Sequence, residues 1–246
     1  MCTVTFVPSD GKIYMVSNRD EKKSRKQARI PAAYSSSTGK LIYPKDADAG
    51  GTWIAMHENG NAIVLLNGGR VFHVSDPPYR KSRGLVLLDI ISDESPASFF
   101  LSIDLNKIEP FTIVCFDKGK LWEGIWDGKN KAISRKDETI PHIWSSVTLY
   151  DNEIRDKRQG WFREWLNVPG EISLKKVVDF HQFSGEGDCY NDLVMDRDGH
   201  FYTVSITGIE IGRSKGEMIY KDLLNDGYFY TEIPFIALQN VRHNYE

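Results

Sequence analysis

The chain has 246 residues, of which 41% are hydrophobic and 26% charged, and its formal net charge is -3. These values are typical of a soluble globular protein and give no electrostatic reason to expect binding to nucleic acid or an anionic membrane. No apolar run is long enough to span a bilayer, and the N-terminal sequence lacks the basic and apolar segments of a signal peptide. Three scattered cysteines fit neither a disulfide framework nor a zinc site, so we expect a reduced, cytoplasmic protein with no integral membrane segment.

Short strands joined by tight turns are the main pattern of the chain. Asp10-Gly11, a dipeptide typical of two-residue type I′ hairpins, separates two runs of β-branched and aromatic residues. Asn59-Gly60 is predicted to form a second turn of this kind. Four antiparallel hairpins are predicted in chain order: 3–7 with 12–17, 52–56 with 61–66, 111–116 with 120–126, and 192–195 with 201–206.

Helices are predicted between these hairpins from apolar spacing and from capping residues. Ser95-Pro96 is typical of an N-cap followed by the first helical position, and Asp151 is a second candidate N-cap. The predicted helices cover 84–91, 96–104, 151–166 and 173–183. No linker, repeat or break in composition divides the chain. Hairpins covered by helices therefore predict an α+β layered sandwich, in a single domain over residues 1–246.

Cys2 is the first candidate functional residue because it follows the initiator methionine directly. Aminopeptidases that remove Met1 prefer a small second residue, so Cys2 would become the N-terminus. It would then carry a thiol nucleophile and a free α-amine, whose ordinary pKa of roughly 7.7–8.0 suits a general base near neutral pH. Cysteine needs little activation because part of it is already thiolate.

The first predicted hairpin brings charged residues to Cys2. A two-residue turn pairs Ser9 with Lys12 and, continued outward, sets Cys2 opposite Arg19. A cation beside the thiol stabilises the thiolate, and the carboxylate of Asp20 is suited to orient the terminal amine.

The second predicted hairpin brings an amide to the same region. Its two-residue turn sets Thr52 opposite Asn67 and places Gly50-Gly51 beside Gly68-Gly69. Glycines allow a ligand to approach the backbone closely, and the Asn67 amide is a candidate donor to a developing oxyanion.

The string Ser-Asn-Arg-Asp-Glu at 17–21 follows Met-Cys at the start and precedes Ala-Gly-Gly-Thr-Trp at 49–53. This arrangement resembles the NRDE family, also called the transport and Golgi organisation 2-like family. The segments 145–162 and 196–199 are also similar to that family, so the resemblance covers nearly the whole chain. The family in turn resembles N-terminal nucleophile hydrolases of the penicillin acylase and bile-salt hydrolase type, which implies a four-layer αββα sandwich.

The resemblance also implies roles for individual residues. The catalytic residues it predicts are Cys2, Arg19, Asp20 and Asn67, and the substrate-binding residues are Asn18, Gly68 and Ser145. Those hydrolases commonly carry Asn-Ser-Pro where this chain has Ser-Ser-Val at 145–147, so Ser145 replaces a second amide. No metal ligand is predicted, because the six histidines show no metal-binding motif.

Two functions follow from these features. The first is an N-terminal-cysteine amidohydrolase that cleaves a non-peptide C–N amide bond of a small substrate and needs no cofactor. The second is a non-catalytic protein that binds or traffics haem or an acyl-lipid in the same pocket, with His142 and His181 as candidate haem ligands. The basic run 22–26, if it lines the pocket, favours an anionic ligand in either case. The sequence leaves the oligomeric state open.

Overall fold

The computed structural model describes residues 3–236, which contain fourteen strands and four helices. The strands are β1 (Thr3–Ser9), β2 (Lys12–Lys22), β3 (Arg29–Ser35), β4 (Lys40–Lys45), β5 (Ile54–His57), β6 (Ala62–Asn67), β7 (Phe111–Asp117), β8 (Lys120–Trp126), β9 (Lys131–Lys136), β10 (His142–Ser145), β11 (Asp196–Arg197), β12 (Phe201–Ile211), β13 (Lys215–Asp222) and β14 (Gly227–Pro234). The helices are α1 (Arg83–Ile91), α2 (Pro96–Ser102), α3 (Asn152–Leu166) and α4 (Leu174–Phe183).

The strands form two antiparallel sheets. The first sheet has the order β10-β1-β2-β12-β13-β14, and β11 pairs with the start of β12. The second sheet runs β3-β4-β5-β6-β7-β8-β9, so all of its neighbours are consecutive in sequence. The first sheet instead joins the two ends of the described chain, because β2 pairs with β12.

The two sheets pack face to face around the largest apolar core. Phe6 and Met15 from the first sheet meet Met56 and Val64 from the second, and all four are fully buried. The outer face of the second sheet packs against α1 and α2, whereas the outer face of the first sheet packs against α4 and part of α3. The layers therefore run helix, sheet, sheet, helix, which confirms the predicted α+β sandwich.

The four predicted helices are confirmed with small differences at their ends. Asp151 caps α3 as predicted, because its carboxylate accepts a hydrogen bond of 2.9 Å from the Ile154 amide. Pro96 occupies the first turn of α2, but the side chain of Ser95 makes no capping hydrogen bond. None of the helices within residues 3–236 is both long and apolar enough to cross a membrane.

The first hairpin has the predicted register. Ser9 pairs with Lys12 and Val4 pairs with Ser17. Asp10 and Gly11 have φ angles of 51° and 73°, the left-handed values that a type I′ turn needs at both central positions. The turn chemistry therefore sets which residues of β2 lie beside the start of β1.

The second hairpin is shifted by one residue, so its predicted register is wrong. Ile54 pairs with Val64, and His57 donates its amide to the Asn61 carbonyl at 2.8 Å. The loop thus has three residues instead of two, with Gly60 at φ 87° in the left-handed position of a bulged turn. The ladder between β5 and β6 ends at the Ile54–Val64 pair, so it does not reach the predicted pairing of 50–51 with 68–69.

The fourth predicted hairpin is only partly present. Residues 192–195 are not a strand, and the pairing with β12 is limited to β11. The third hairpin, β7 with β8, is confirmed. The sequence does not predict strands β3, β4, β9, β10, β11, β13 and β14.

A close backbone contact fixes α1 against the second sheet and provides a test of the packing. A Cβ atom at Gly51 would lie 2.5 Å from the Leu85 amide nitrogen, which is backbone and cannot move aside. We expect Gly51→Ala to lower the free energy of unfolding by about 1–3 kcal/mol. Gly160→Ala is the matched control, because nothing lies within 4 Å of its added methyl in α3. It should stabilise the protein by about 0.5–1 kcal/mol. Urea unfolding measures both, and equal stability of the two variants would contradict this packing.

Candidate functional site

Cys2, the predicted nucleophile, lies outside the residues that the structure describes. Thr3 is fully buried and opens β1 between two neighbours, β2 and β10. In β10 it pairs with Ser145. Next to it, Val4 pairs with Ser17, which leads directly into Asn18-Arg19-Asp20. The start of β1 is therefore flanked by residues predicted to be functional.

Arg19 extends from β2 toward the second sheet. Its Nη2 donates to Asp46 Oδ2 at 2.6 Å, and its guanidinium carbon lies 4.5 Å from the centre of the Trp53 ring. Asp46 also accepts from Arg25 at 3.0 Å and from the Ala49 amide at 2.7 Å. Burial alone would raise the pKa of Asp46, but the Ala49 hydrogen bond and the charges of Arg25 and Arg19 lower it overall. Asp46 therefore holds both arginines as an ionised carboxylate.

Asp20 points to the opposite side of the first sheet. It is 1% exposed, and its two oxygens accept from Thr203 Oγ1 at 2.6 Å and from the Tyr150 hydroxyl at 3.1 Å. The ladder between β2 and β12 is interrupted by a bulge at Val204, directly opposite the Arg19–Asp20 step. Bulges redirect side chains and occur often beside functional sites. The carboxylate of Asp20 is thus held in one orientation by two neutral donors.

Two cavities of about 610 and 590 Å³ adjoin this region, and Asn67 lines both. Arg19 and Asp20 line the first, whereas Gly68 and Ser145 line the second. The backbone carbonyl of Asn67 accepts from Ser146 Oγ at 2.8 Å, which fixes the end of β6. The Asn67 side-chain amide bonds to no other residue in the described range 3–236, so it is available to a ligand.

Gly68 is held by its backbone and by a close approach. It has φ 86°, and its amide donates to the Pro110 carbonyl at 3.1 Å. An added Cβ would lie 2.6 Å from Thr148 Cγ2, so only glycine fits without a shift. Since this amide is already bonded, Gly68 shapes the second cavity without offering its N–H to a ligand. Its predicted role in substrate binding stays a prediction.

Asn18 faces away from both cavities. Its Nδ2 donates to the backbone carbonyls of His181 and Leu193 at 3.1 and 2.9 Å, which leaves Oδ1 to accept from His181 Nδ1. His181 Nε2 must then accept from the Thr5 hydroxyl, 2.8 Å away. These contacts join β2 to α4, so the geometry gives Asn18 a structural role and no contact with the cavities.

The predicted site residues fall into two groups. Arg19, Asp20 and Asn67 line the first cavity, with the Asp20 carboxylate directed to Thr203 and Tyr150 on the other face of the sheet. Asn67, Gly68 and Ser145 line the second cavity. Sequence reasoning missed the residues that hold them, chiefly Asp46, Tyr150 and Thr203. These partners lie 27, 130 and 183 positions from the residues they contact, so no local pattern indicates them.

Comparison with solved structures establishes the fold of the chain. The mutant C2A conjugated bile acid hydrolase from Clostridium perfringens matches with a TM-score of 0.60 at 11% identity, over 94% of this chain and 92% of that one. An arginine-to-leucine variant of that hydrolase matches with a TM-score of 0.59 at 10% identity, over 98% and 100% of the two chains. The Caenorhabditis elegans ortholog of N-acylethanolamine-hydrolyzing acid amidase gives 0.49 at 13% identity, over 85% and 92%. The first two matches show that the chain has the N-terminal nucleophile hydrolase fold.

The family follows from the sequence. Residues 1–177 match the model of the Transport and Golgi organisation 2 family, and the protein belongs to that family. The resemblance stated from the sequence is thereby confirmed. No curated protein matches the chain.

The buried imidazole of His181 makes a pH-dependent contribution to stability. Burial is the larger cause and the positive charge of Arg158 the smaller one, and together they lower the pKa of His181 from 6.5 to about 3. At pH values between these two, the unfolded chain binds a proton at His181 that the folded protein does not. The free energy of unfolding should therefore fall as the pH drops below about 6.5, by up to about 1.4 kcal/mol per pH unit.

Urea unfolding at about pH 7 and about pH 5 measures this slope. His181→Gln should lose the part of the slope due to this proton, whereas the exposed control His200→Gln should keep it. An unchanged slope in His181→Gln would show that the imidazole is not buried as a neutral group.

Proposed function

We propose that the protein is an N-terminal-cysteine amidohydrolase that cleaves a non-peptide C–N amide bond of a small, anionic substrate. One observation carries the proposal. Arg19, Asp20 and Asn67 adjoin the cavities near the start of β1. Strand β1 begins immediately after Cys2 in the sequence. The fold is shared with a hydrolase of conjugated bile acids that was studied as its C2A mutant.

The proposed reaction begins once Met1 is removed. The α-amine of Cys2 accepts the thiol proton, and the sulfur attacks the carbonyl carbon of the amide. The C–N bond then breaks, the leaving amine takes the proton from the α-ammonium, and a thioester remains. Water attacks the thioester, its proton passes through the α-amine, and the carboxylic acid leaves as the thiol is restored.

Three side chains have distinct roles in this scheme. Asn67 donates its amide to the oxyanion of each tetrahedral intermediate. Asp20, fixed by Thr203 and Tyr150, orients the α-amine. Arg19 stabilises the thiolate, although its ion pair with Asp46 makes this effect weaker than that of an unpaired guanidinium.

Cationic groups on the walls of the first cavity support an anionic substrate. Arg25, from the basic run 22–26, lines this cavity, as do Arg80 and Lys81 on the other wall. Arg80 and Lys81 pair with Asp104 and Asp89, which do not line the cavity. Five cationic and four acidic side chains line the cavity, so its lining has a small excess of positive charge, which favours an anion.

The first test concerns Cys2. The purified protein should have an intact mass lower by one methionine residue, and incubation with N-acyl amino acids should release a primary amine that fluorescamine detects. Cys2→Ala should abolish this release, because the variant lacks the sulfur that attacks the amide carbonyl. Cys189→Ala, which changes an exposed thiol, is the matched control and should keep full activity. Retained Met1, or amine release by Cys2→Ala, would refute the mechanism.

A second test concerns the oxyanion. Asn67→Ala should lower kcat by about 10²–10³-fold with little change in KM, since the amide acts only when charge develops on oxygen. The exposed Asn106→Ala serves as the control and should match the wild type. A rise in KM at constant kcat would instead assign Asn67 to ground-state binding.

A second candidate function is that of a non-catalytic carrier of an acyl-lipid or haem in the same cavities. An exposed apolar segment favours the lipid, because Val71, Phe72 and Val74 are 72%, 66% and 79% exposed beside Arg70 of the second cavity. Haem has less support. Both ring nitrogens of His181 are bonded within the core, and His142 Nε2 contacts the Asp137 carbonyl at 2.7 Å.

Ligand titration distinguishes the carrier from the enzyme. A carrier should bind a fluorescent fatty acid equally well before and after Cys2→Ala, and it should release no amine from N-acyl amino acids. Titration with haem should produce a Soret shift only if the haem alternative holds.

A further inference from the structure

A buried arginine contacts Thr3, the residue that follows the proposed nucleophile in sequence. Arg158 of α3 is fully buried, yet its guanidinium pairs with no carboxylate of residues 3–236. Its Nη2 donates to the carbonyls of Asn191 and Asp192 at 2.8 and 2.7 Å, and its Nη1 donates to Thr3 Oγ1. A buried cation held by neutral groups alone is costly, because an unpaired charge loses its hydration. Such a charge therefore calls for a reason beyond packing.

The same guanidinium also contacts the residue that holds Asp20. Its central carbon lies 3.6 Å from the centre of the Tyr150 ring, and Arg197 lies 5.5 Å from that ring. The Tyr150 hydroxyl donates to Asp20 Oδ2. The Tyr150 ring therefore contacts two cations, and its hydroxyl contacts one buried carboxylate. A cation over the ring polarises the phenol and strengthens the hydrogen bond that its hydroxyl donates.

Arg158 thereby reaches the proposed site by two routes. The first is its hydrogen bond to Thr3, the residue that follows Cys2. The second is its contact with the ring of Tyr150, whose hydroxyl donates to Asp20. Its charge also extends to His181, whose imidazole stays neutral in the core. No other charged side chain of the described residues bonds to Thr3.

We infer that Arg158 is a positioning residue that sets the reactivity of Cys2, by fixing Thr3 and by supplying, through Tyr150, the positive charge that balances Asp20. The inference rests on the proposed function, because it assigns Asp20 and Cys2 the roles given above. It adds a residue of the helix layer to a site otherwise built from the two sheets.

Alkylation of Cys2 by iodoacetamide, followed across pH by peptide mass spectrometry, tests this inference without any substrate. Thiolate is the reacting species, so the midpoint of the rate against pH reports its pKa. Arg158→Met should move the midpoint upward by about one pH unit or more, because the variant lacks the positive charge that is bonded to Thr3 and balances Asp20 through Tyr150. Arg158→Lys keeps the charge and should restore at least half of the shift. Arg163→Met, on the exposed side of α3, should leave the midpoint unchanged.

A loss of packing alone would affect the Lys and Met variants alike, so rescue by lysine separates charge from structure. If Arg158→Met does not fold, Tyr150→Phe gives the answer. It removes the hydroxyl donor and leaves the charge of Asp20 less balanced, which should also raise the midpoint. A wild-type midpoint in folded Arg158→Met or folded Tyr150→Phe would overturn the inference. Failure of the proposed function is a different result, in which the wild type releases no amine from any N-acyl amino acid.

Discussion

The alternation of side chains along β2 is the constraint on which the rest of the site depends. Successive residues of a strand point to opposite faces of the sheet. Arg19 therefore enters the space between the two sheets, where it meets Asp46 and Trp53, and Asp20 enters the space under the helices, where it meets Tyr150. One strand thus positions a cation toward one layer and a carboxylate toward another. A shift of one residue in its pairing would exchange the two.

The site lies where the two sheets are joined. Asn67 ends β6 in the second sheet, and Ser146 follows the last residue of β10 in the first. The hydrogen bond from Ser146 Oγ to the Asn67 carbonyl crosses from one sheet to the other at the point where the two cavities meet. Asn67 is therefore held by both sheets, through β6 of the second sheet and through Ser146 of the first. This suits an amide that has to hold its direction while charge develops on a substrate oxygen.

Local signals predicted much of the fold and less of the site. Asp10-Gly11 fixed the register of the first hairpin, because both residues tolerate the positive φ angles of a type I′ turn. Asn59-Gly60 was ambiguous, since glycine in the left-handed region also suits a three-residue loop, and the loop length decides the register. The missed strand β3 carries Arg29 and Ser35 at its ends and has a mostly exposed surface, so it shows no apolar alternation. The sequence could not show that Asn18 points away from the cavities, because it does not reveal which face of β2 meets α4. The contacts of Arg158 could not be predicted because they join residues far apart in the chain.

The order of strands in the two sheets has a consequence for how the protein is made. All strands of the second sheet are neighbours in sequence, so each hairpin can close as soon as it leaves the ribosome. The ladder between β2 and β12 cannot begin until Phe201 has been synthesised. Until then, one long edge of β2, with Arg19 and Asp20 on it, has no partner strand, and an unpaired edge can recruit other chains. The nascent protein therefore completes this part of its candidate site only after every strand of the second sheet has been synthesised.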